Sequence, residues 1–239
     1  MRRVLVTGGG SGIGRATARA FCEKGDAVTI AGRRMEALRE TDDGRGMECR
    51  EADVTDEPSM RALFDRPFDV VVANAGMGKA AKVADTSLDL WNRTLAVTLT
   101  GVFLTFREAL GGMGAGGRLI AVSSVSGLYG EANVAAYSAA KHGVMGLVRS
   151  LALEVAKSGI TCNAVCPGWV QTPMAEDAVA GVMRRFGIDR AQAEARVFGD
   201  NPAGRIIDPG EVAAAVLYLA SPEAAMVNGH GLVISGGDA

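Results

Sequence analysis

The sequence predicts an α/β protein built on a doubly wound parallel sheet of about seven strands, with helices on both faces. The first observation behind this prediction is an alternation, because short apolar runs and stretches of helical periodicity follow one another along the chain. The second is a glycine cluster between the first apolar run and the first helical stretch. With 239 residues, 48% of them hydrophobic, the chain can form one large core. We therefore treat residues 1–239 as a single domain.

The first strand, Val4 to Val6, leads directly into a glycine-rich segment that ends at Gly14 and opens a helix. The spacing Gly8-x-x-x-Gly12-x-Gly14 differs from the common Gly-x-Gly-x-x-Gly fingerprint. It still allows a tight turn, close backbone approach and a pyrophosphate on the helix N-terminus, as in Rossmann-type dinucleotide-binding folds. A glycine cluster can also be only a turn. The cofactor-binding residues predicted here are Gly8, Gly10, Ser11, Gly12, Ile13 and Gly14.

The second strand, Ala27 to Ala31, ends at the position that reads the adenosine ribose in such folds. A carboxylate there suits the 2′-hydroxyl of NAD, whereas arginine suits the 2′-phosphate of NADP. The sequence continues with Gly32, Arg33 and Arg34 and has no carboxylate at this point. We therefore predict NADP as the cofactor. The alternative is that both arginines only begin a solvated helix.

Later apolar runs predict strands at 70–73, 119–122, 160–165 and 232–234, and a weaker strand at 47–50 precedes Asp53. Helices are predicted between most of these strands, at 58–64, 88–110, 134–157 and 209–220. The segment 172–205 is rich in arginine and has no predicted strand. Because it follows a strand at the ligand-binding edge of the sheet, we predict a substrate lid.

The composition narrows the class of protein. A formal net charge of -2 gives no electrostatic footprint for nucleic acid. No segment approaches the roughly 20 apolar residues of a membrane span, and the start Met1-Arg2-Arg3 resembles a signal peptide only superficially because glycines soon interrupt the apolar run. The four cysteines have no spacing typical of a metal site or a disulfide framework. We expect a cytoplasmic protein without a metal, membrane or nucleic-acid partner.

Tyr137 and Lys141 are the two large polar side chains of the stretch Val134 to Lys141. Residues four apart share one helix face, so a phenol and an ammonium point into the same space. Moving a phenol pKa from 10 to about 7 requires roughly 4 kcal/mol, which a positive charge about 4 Å away supplies at an effective dielectric of about 20. Burial of the phenol opposes this effect. The alternative is a buried tyrosine beside a lysine with a solvated head.

Together these motifs closely resemble the classical short-chain dehydrogenase/reductase family over essentially the whole chain. The resemblance is carried by Thr7-Gly8-x-x-x-Gly12-x-Gly14, Asp53-Val54, Asn74-Ala75-Gly76, Ser124 with Tyr137 and Lys141, Pro167-Gly168 with Thr172, and the closing stretch Gly229 to Gly237. Several motifs in this order and spacing are specific, whereas each alone is not.

The resemblance implies a role for each matched residue. Tyr137 is the general acid or base on the substrate oxygen, Lys141 lowers its pKa and bonds the nicotinamide ribose, and Ser124 holds the substrate oxygen. These roles suit hydride transfer, which needs orientation, a proton donor and a polarising group. The implied cofactor contacts are Asp53 and Val54 at the adenine, Asn74 and Gly76 along the cofactor, and Pro167 and Thr172 at the nicotinamide.

One catalytic position departs from the family pattern. The family's asparagine opens an Asn-x-x-Gly-x-Phe segment, and Thr98 occupies that position here, in Thr98-Leu99-Thr100-Gly101-Val102-Phe103. The asparagine is thought to hold a water that links the lysine to solvent. We therefore expect altered, but not abolished, proton delivery.

The expected activity is interconversion of a ketone and a secondary alcohol with NADPH, and the substrate expected from the resemblance is a 3-oxoacyl thioester of coenzyme A or a carrier protein. The lid arginines suit such a tail, although solvated helix faces explain them equally well. A cofactor-binding sensor without turnover is the main alternative, and a lyase or epimerase is a third. The helix at 134–157 is apolar on more than one face, which favours a homotetramer.

Overall fold

A computed structural model describes residues 1–199 and 201–238. Asp200, inside the expected lid, and Ala239 lie outside the described residues. Seven strands form one sheet in the order β3-β2-β1-β4-β5-β6-β7, and each neighbouring pair is parallel. The strands are β1 (Arg3–Thr7), β2 (Ala27–Gly32), β3 (Glu48–Glu51), β4 (Val70–Ala73), β5 (Arg118–Val122), β6 (Thr161–Pro167) and β7 (Gly231–Ile234). The predicted fold class is confirmed.

Nine α-helices connect or follow these strands in the described part of the chain. They are α1 (Gly12–Glu23), α2 (Met35–Asp42), α3 (Glu57–Leu63), α4 (Leu88–Leu95), α5 (Gly101–Leu110), α6 (Ala135–Val155), α7 (Pro173–Phe186), α8 (Arg190–Phe198) and α9 (Pro209–Leu219). None of them is both long and apolar enough to cross a lipid bilayer.

The sheet separates two apolar cores because successive strand residues point to opposite faces. Leu5 and Val71 belong to the core under α3, α5 and α6. Val4, Val6 and Val72 belong to the core under α1, α2 and α9. The continuous apolar runs of the sequence are therefore strands buried on both sides, as the predicted architecture requires.

The functional end of the sheet lies where the strand order reverses. β1 pairs with β2 on one side and with β4 on the other, so the loops after β1 and β4 leave the same edge in different directions. Asn74 joins them: its side-chain nitrogen donates to the carbonyl oxygens of Thr7 at 3.0 Å and Gly8 at 3.1 Å. Ligands of doubly wound folds bind at such a switch point.

The helix predicted over 88–110 is corrected by the structure, because a π-helical turn at Ala96–Thr100 separates α4 from α5. Such a turn inserts one extra residue into the helix and is frequent at functional sites. Thr98 lies fully buried within it. Apolar periodicity cannot register a one-residue insertion in a helix that continues in the same direction.

The expected lid contains α7 and α8 and begins and ends beside the sheet. An isolated bridge between Val170 and Ile207 closes its base. The two helices pack on each other, and the Trp169 and Phe198 rings make an edge contact with centroids 5.6 Å apart. This geometry is compatible with a lid, which remains a prediction.

Candidate active site

The glycine loop between β1 and α1 is shaped by its glycines. Gly12 has a φ of 52°, in the left-handed region that side chains disfavour. A Cβ on Gly14 would lie 2.4 Å from both the Gly8 carbonyl oxygen and the Asn74 side-chain nitrogen. Ile13 packs its side chain against the core. The loop therefore offers backbone groups, and no bulky side chain, to a ligand.

Side chains from α1 and α2 fasten this loop. Arg15 donates to the Gly10 carbonyl oxygen at 2.7 Å and to the Thr41 hydroxyl at 3.0 Å. Thr41 in turn donates to the Gly9 carbonyl oxygen at 2.9 Å. Sequence reasoning missed Arg15 and Thr41, and no spacing signal marked them.

The N-terminus of α1 opens into a cleft of about 960 Å³. Ser11 is the N-cap residue, and its hydroxyl does not cap the helix in the described structure, which leaves the first N–H groups facing outward. Those groups and the positive end of the helix dipole suit a phosphate. Residues lining the cleft are Gly10, Ser11, Gly12, Arg15, Ala16, Arg19, Arg34, Met35, Glu36, Ala37, Glu40, Gln171, Pro173, Asp208, Pro209 and Gly210.

The two arginines after β2 take different places. Arg34 lines the cleft, whereas Arg33 is exposed outside its lining and lies near Asp53. Neither guanidinium has a carboxylate partner within 4.0 Å among residues 1–199 and 201–238. Both are therefore available to an anionic ligand, and the residues fit a dinucleotide phosphate.

Asp53 and Val54 follow the end of β3. Partial burial raises the pKa of the Asp53 carboxyl, but hydrogen bonds from Thr55 and the Arg33 charge outweigh it, so the net pKa is lowered. The Thr55 backbone N–H and hydroxyl donate to Asp53 at 2.9 and 2.7 Å. Val54 packs against Gly101 at the start of α5, where an added Cβ would meet its side chain at 2.8 Å.

Ser124, Tyr137 and Lys141 converge beyond the glycine loop. Ser124 follows β5, and its hydroxyl faces the Tyr137 phenol and lowers the phenol pKa as a hydrogen-bonding partner. The Lys141 ammonium lies 5.5 Å from the centre of the Tyr137 ring and donates to the Val122 carbonyl oxygen at 2.6 Å. The predicted shared space of phenol and ammonium is therefore present.

The structure corrects the sequence argument for an acidic phenol. Burial raises the pKa of Tyr137 to about 12, against the smaller lowering by Ser124. Burial also lowers the pKa of Lys141 to about 8. Desolvation is the largest cause of both shifts, so at neutral pH the phenol keeps its proton.

Thr98 and Lys141 both approach Gly76, on the loop after β4. A Cβ on Gly76 would sit 3.8 Å from the Lys141 nitrogen and 3.9 Å from the Thr98 hydroxyl. The Thr98 hydroxyl donates to the Met77 carbonyl oxygen at 3.1 Å and accepts from the Met77 N–H at 3.2 Å. Its only proton is thus used within the protein, and it offers a water an acceptor but no donor.

The nicotinamide-side residues predicted from the motifs lie after β6. The Pro167 carbonyl oxygen accepts a 3.4 Å bond from the Ser124 hydroxyl. Thr172 is the N-cap of α7, and its methyl group would touch a Cβ on Gly12 at 3.0 Å. The start of the expected lid is thus packed on the glycine loop.

Sequence reasoning also missed the contact of Gly78 with the Tyr137 ring and the hydrogen bond between Ser126 and Glu131. Gly78 packs on the phenol ring, since an added Cβ would lie 3.2 Å from a ring carbon. The Ser126 hydroxyl donates to the Glu131 carboxylate at 2.7 Å. These residues belong to loops and to the single 3-10 turn Val125–Gly127, which are too short for apolar periodicity to carry information.

Comparisons with known proteins agree with this geometry. The family model described as enoyl-(acyl carrier protein) reductase matches residues 8–238. A putative ketoacyl reductase of Streptomyces coelicolor is 38% identical over 98% of this chain and 95% of its own length. A cis-4-hydroxycyclohexanecarboxylate dehydrogenase of Sinomonas cyclohexanicum is 42% identical over 99% and 96%. The crystal structure of an actinorhodin polyketide ketoreductase variant with NADPH superposes with a TM-score of 0.94, at 38% identity, covering 99% of this chain and 96% of that one.

Proposed function

The chain belongs to the short-chain dehydrogenase/reductase family and is an oxidoreductase of that family, and we propose that it interconverts a ketone and a secondary alcohol with NADPH. The observation that carries this proposal is the convergence of Ser124, Tyr137 and Lys141 at the edge of the sheet that also holds the glycine loop. Each of these side chains has a defined task in carbonyl reduction.

NADPH supplies the hydride when it is bound. The backbone of the glycine loop and the N-terminus of α1 would hold its pyrophosphate, with Asn74 fixing the loop from behind. Arg33 and Arg34 would bind the 2′-phosphate, because charge-assisted bonds from arginine to phosphate are strong and geometrically specific. This pair is our reason for preferring NADPH to NADH.

The proton chemistry falls to the side chains on β5 and α6. Ser124 would turn its hydroxyl proton from the long 3.4 Å bond to the Pro167 carbonyl toward the substrate carbonyl oxygen and polarise it. Tyr137, protonated at neutral pH because its pKa lies near 12, would deliver a proton to that oxygen as it becomes an alcohol. Lys141, protonated below its pKa of about 8, would stabilise the resulting phenolate.

We further propose that proton resupply is altered by Thr98. The threonine hydroxyl is held by both backbone groups of Met77, so it cannot donate to a water beside Lys141. Main-chain groups of the π-turn would have to hold such a water instead.

A 3-oxoacyl thioester is the substrate class we favour, delivered on coenzyme A or on a carrier protein. The ketoacyl reductase relative supports this class. The expected lid also carries three exposed guanidiniums without an ion-pair partner in the described chain, at Arg184, Arg185 and Arg196. Such cations suit the phosphate of a pantetheine tail.

We also propose a homotetramer. The inner face of α6 is buried, while Leu153 on its outer face is 82% exposed and Leu88 at the start of α4 is 71% exposed. The outer face is narrower than the sequence pattern indicated, because most apolar residues of α6 point inward. Sedimentation at micromolar concentration should give a tetramer, and a monomer would contradict this proposal.

Consumption of NADPH by the purified protein tests the proposed function. The panel should include acetoacetyl-coenzyme A, a simple ketone, a cyclic ketone and a sugar, with NADH in parallel. Turnover that is faster with NADPH supports both the reaction and the cofactor. Tight NADPH binding without turnover would favour the sensor, and a need for only catalytic amounts of cofactor would favour a lyase or epimerase.

A further inference from the structure

The loop after β5 brings a carboxylate close to the reacting groups. The Ser126 backbone N–H donates to the Ser124 hydroxyl oxygen at 3.1 Å, and the Ser126 hydroxyl donates to the Glu131 carboxylate at 2.7 Å. One residue therefore bridges the proposed substrate-polarising hydroxyl and the carboxylate. Ser126 is only 5% exposed, so the carboxylate of the otherwise exposed Glu131 turns inward. Besides burial, which is the larger cause, its charge lies close enough to the reacting groups to raise the pKa of the Tyr137 phenol.

The position of Glu131 is fixed by a second loop. The Ala81 N–H donates to the Asn133 carbonyl oxygen at 2.7 Å, and Ala81 forms an isolated parallel bridge with Val134. Asn133 adopts a φ of 65°, which a local constraint of this kind can maintain. The chain on the C-terminal side of Glu131 is thus pinned to the loop after β4.

The Glu131 carboxylate forms no ion pair in the described part of the chain. Lys141, the buried cation of the site, donates to the Val122 carbonyl oxygen. Lys79 and Lys82 on the neighbouring loop are exposed. Within residues 1–199 and 201–238, no cation lies within 4.0 Å of the Glu131 carboxylate. The rim beside Ser124 and Tyr137 therefore carries a negative charge.

We propose that Glu131 is a specificity residue that disfavours substrates with a free carboxylate and so favours ketones whose acyl group is a neutral ester or thioester. This inference rests on the proposed reductase function and narrows its substrate class. Two like charges roughly 8 Å apart repel enough to change affinity by about 2-fold to 30-fold for effective dielectrics between 80 and 20. We expect roughly tenfold at this partly solvated rim.

Matched pairs of substrates test the proposal. Acetoacetate is compared with ethyl acetoacetate, and 4-oxocyclohexanecarboxylate with its methyl ester, each with NADPH. The readout is the ratio of kcat/KM for the ester to that for the acid. The change Glu131→Gln should lower this ratio about tenfold, mainly by improving turnover of the acid, while Glu131→Asp should keep it near the wild-type value.

Glu154→Gln is the matched control. Glu154 is an exposed carboxylate on the same helix as Tyr137, seventeen residues further on, or about 26 Å along the axis. Its replacement should leave the ratio unchanged. An unchanged ratio in Glu131→Gln, or an equal change in both variants, would overturn the proposal.

Failure of the proposed function gives a different result. If the wild-type protein reduces no member of either pair, the reductase proposal fails, and calorimetric titration of the same compounds into the NADPH complex then measures the charge preference directly. The role of Glu131 would be contradicted if the wild-type protein and Glu131→Gln had the same ester-to-acid ratio of dissociation constants. It would also be contradicted if neither protein bound any of the four compounds.

Discussion

The proposed cofactor end and the proposed substrate end of this site, called the cofactor end and the substrate end below, are built differently. The cofactor end consists mainly of backbone, namely the glycine loop and the N-terminus of α1, held by the hydrogen bond from the Asn74 side chain to the Thr7 carbonyl oxygen. Its contacts leave no room for an added atom at Gly14. The substrate end is made of side chains on α6 and of two irregular loops joined between Ala81 and Val134. Because the two ends are built from different groups, we expect cofactor binding and substrate choice to respond to different substitutions.

The largest effect on cofactor affinity is expected at Gly14, where the cofactor end has no spare volume. In Gly14→Ala, the new Cβ would meet the Gly8 carbonyl oxygen and the Asn74 side chain at 2.4 Å. Overpacking of this kind costs about 1–3 kcal/mol, so NADPH affinity should fall about 5-fold to 150-fold. Gly146→Ala is the control, because an added Cβ on this α6 residue meets nothing within 4 Å. Equal NADPH dissociation constants for both variants would contradict this account of the loop.

Substitution of the arginines after β2 is expected to lower the affinity for NADPH but not for NADH. Arg33→Ala should weaken NADPH binding about tenfold and leave NADH binding unchanged, because a hydrogen bond to a charged group contributes about 1.5–3 kcal/mol. Arg34→Ala tests whether the arginine that lines the cleft contributes more. Arg39→Ala, an exposed arginine further along α2, is the control. Titration with both cofactors measures the preference, and equal losses for NADPH and NADH would remove the assignment.

The rate of ketone reduction should depend on the protonation state of Lys141. Because burial lowers the pKa of Lys141 to about 8, its charge is present below that pH and lost above it. The rate of ketone reduction should therefore fall up to about tenfold per pH unit above pH 8 if the charged form is required. Stopped-flow rates at saturating NADPH measure this fall in rate above pH 8. A rate that stays flat to pH 10 would show that the lysine charge is not needed.

The smallest effect is expected at Thr98, which lies between the two ends. Thr98→Asn introduces an amide that can donate to a water beside Lys141, and we expect a severalfold change in rate or a shifted pH profile. Thr98→Val is the companion variant, since it removes the hydroxyl bonds to Met77 at similar volume. If Thr98→Asn leaves both the rate and its pH dependence unchanged, this position does not limit proton relay.

The fold around the proposed cofactor end was predictable from the sequence because its determinants are local. Apolar runs buried on both faces of the sheet identify the strands, and the glycines after β1 mark a turn that side chains cannot adopt. The four-residue spacing of Tyr137 and Lys141 places both side chains on one helix face because the geometry of an α-helix is fixed. The same argument explains why Arg33 and Arg34 could be placed at the end of β2.

The substrate end was only partly predictable because it depends on contacts between distant segments. Gly78 reaches the Tyr137 ring, and Glu131 reaches Ser126, through loops whose path no periodicity encodes. The raised phenol pKa also depends on burial, which the Tyr-x-x-x-Lys spacing cannot report. The Thr98 substitution was visible, but its bonds to Met77 were not.

Measuring turnover and NADPH affinity on one variant, Tyr137→Phe, tests the central claim most directly. Loss of the phenolic hydroxyl should lower kcat for ketone reduction by about 10²-fold to 10⁴-fold, the usual contribution of a general acid, with the NADPH dissociation constant within about threefold of wild type. Tyr129→Phe, at an exposed tyrosine of the loop after β5, should change neither. Retained turnover in Tyr137→Phe, or parallel loss of turnover and NADPH binding, would contradict a phenolic proton donor that acts separately from the cofactor-binding end.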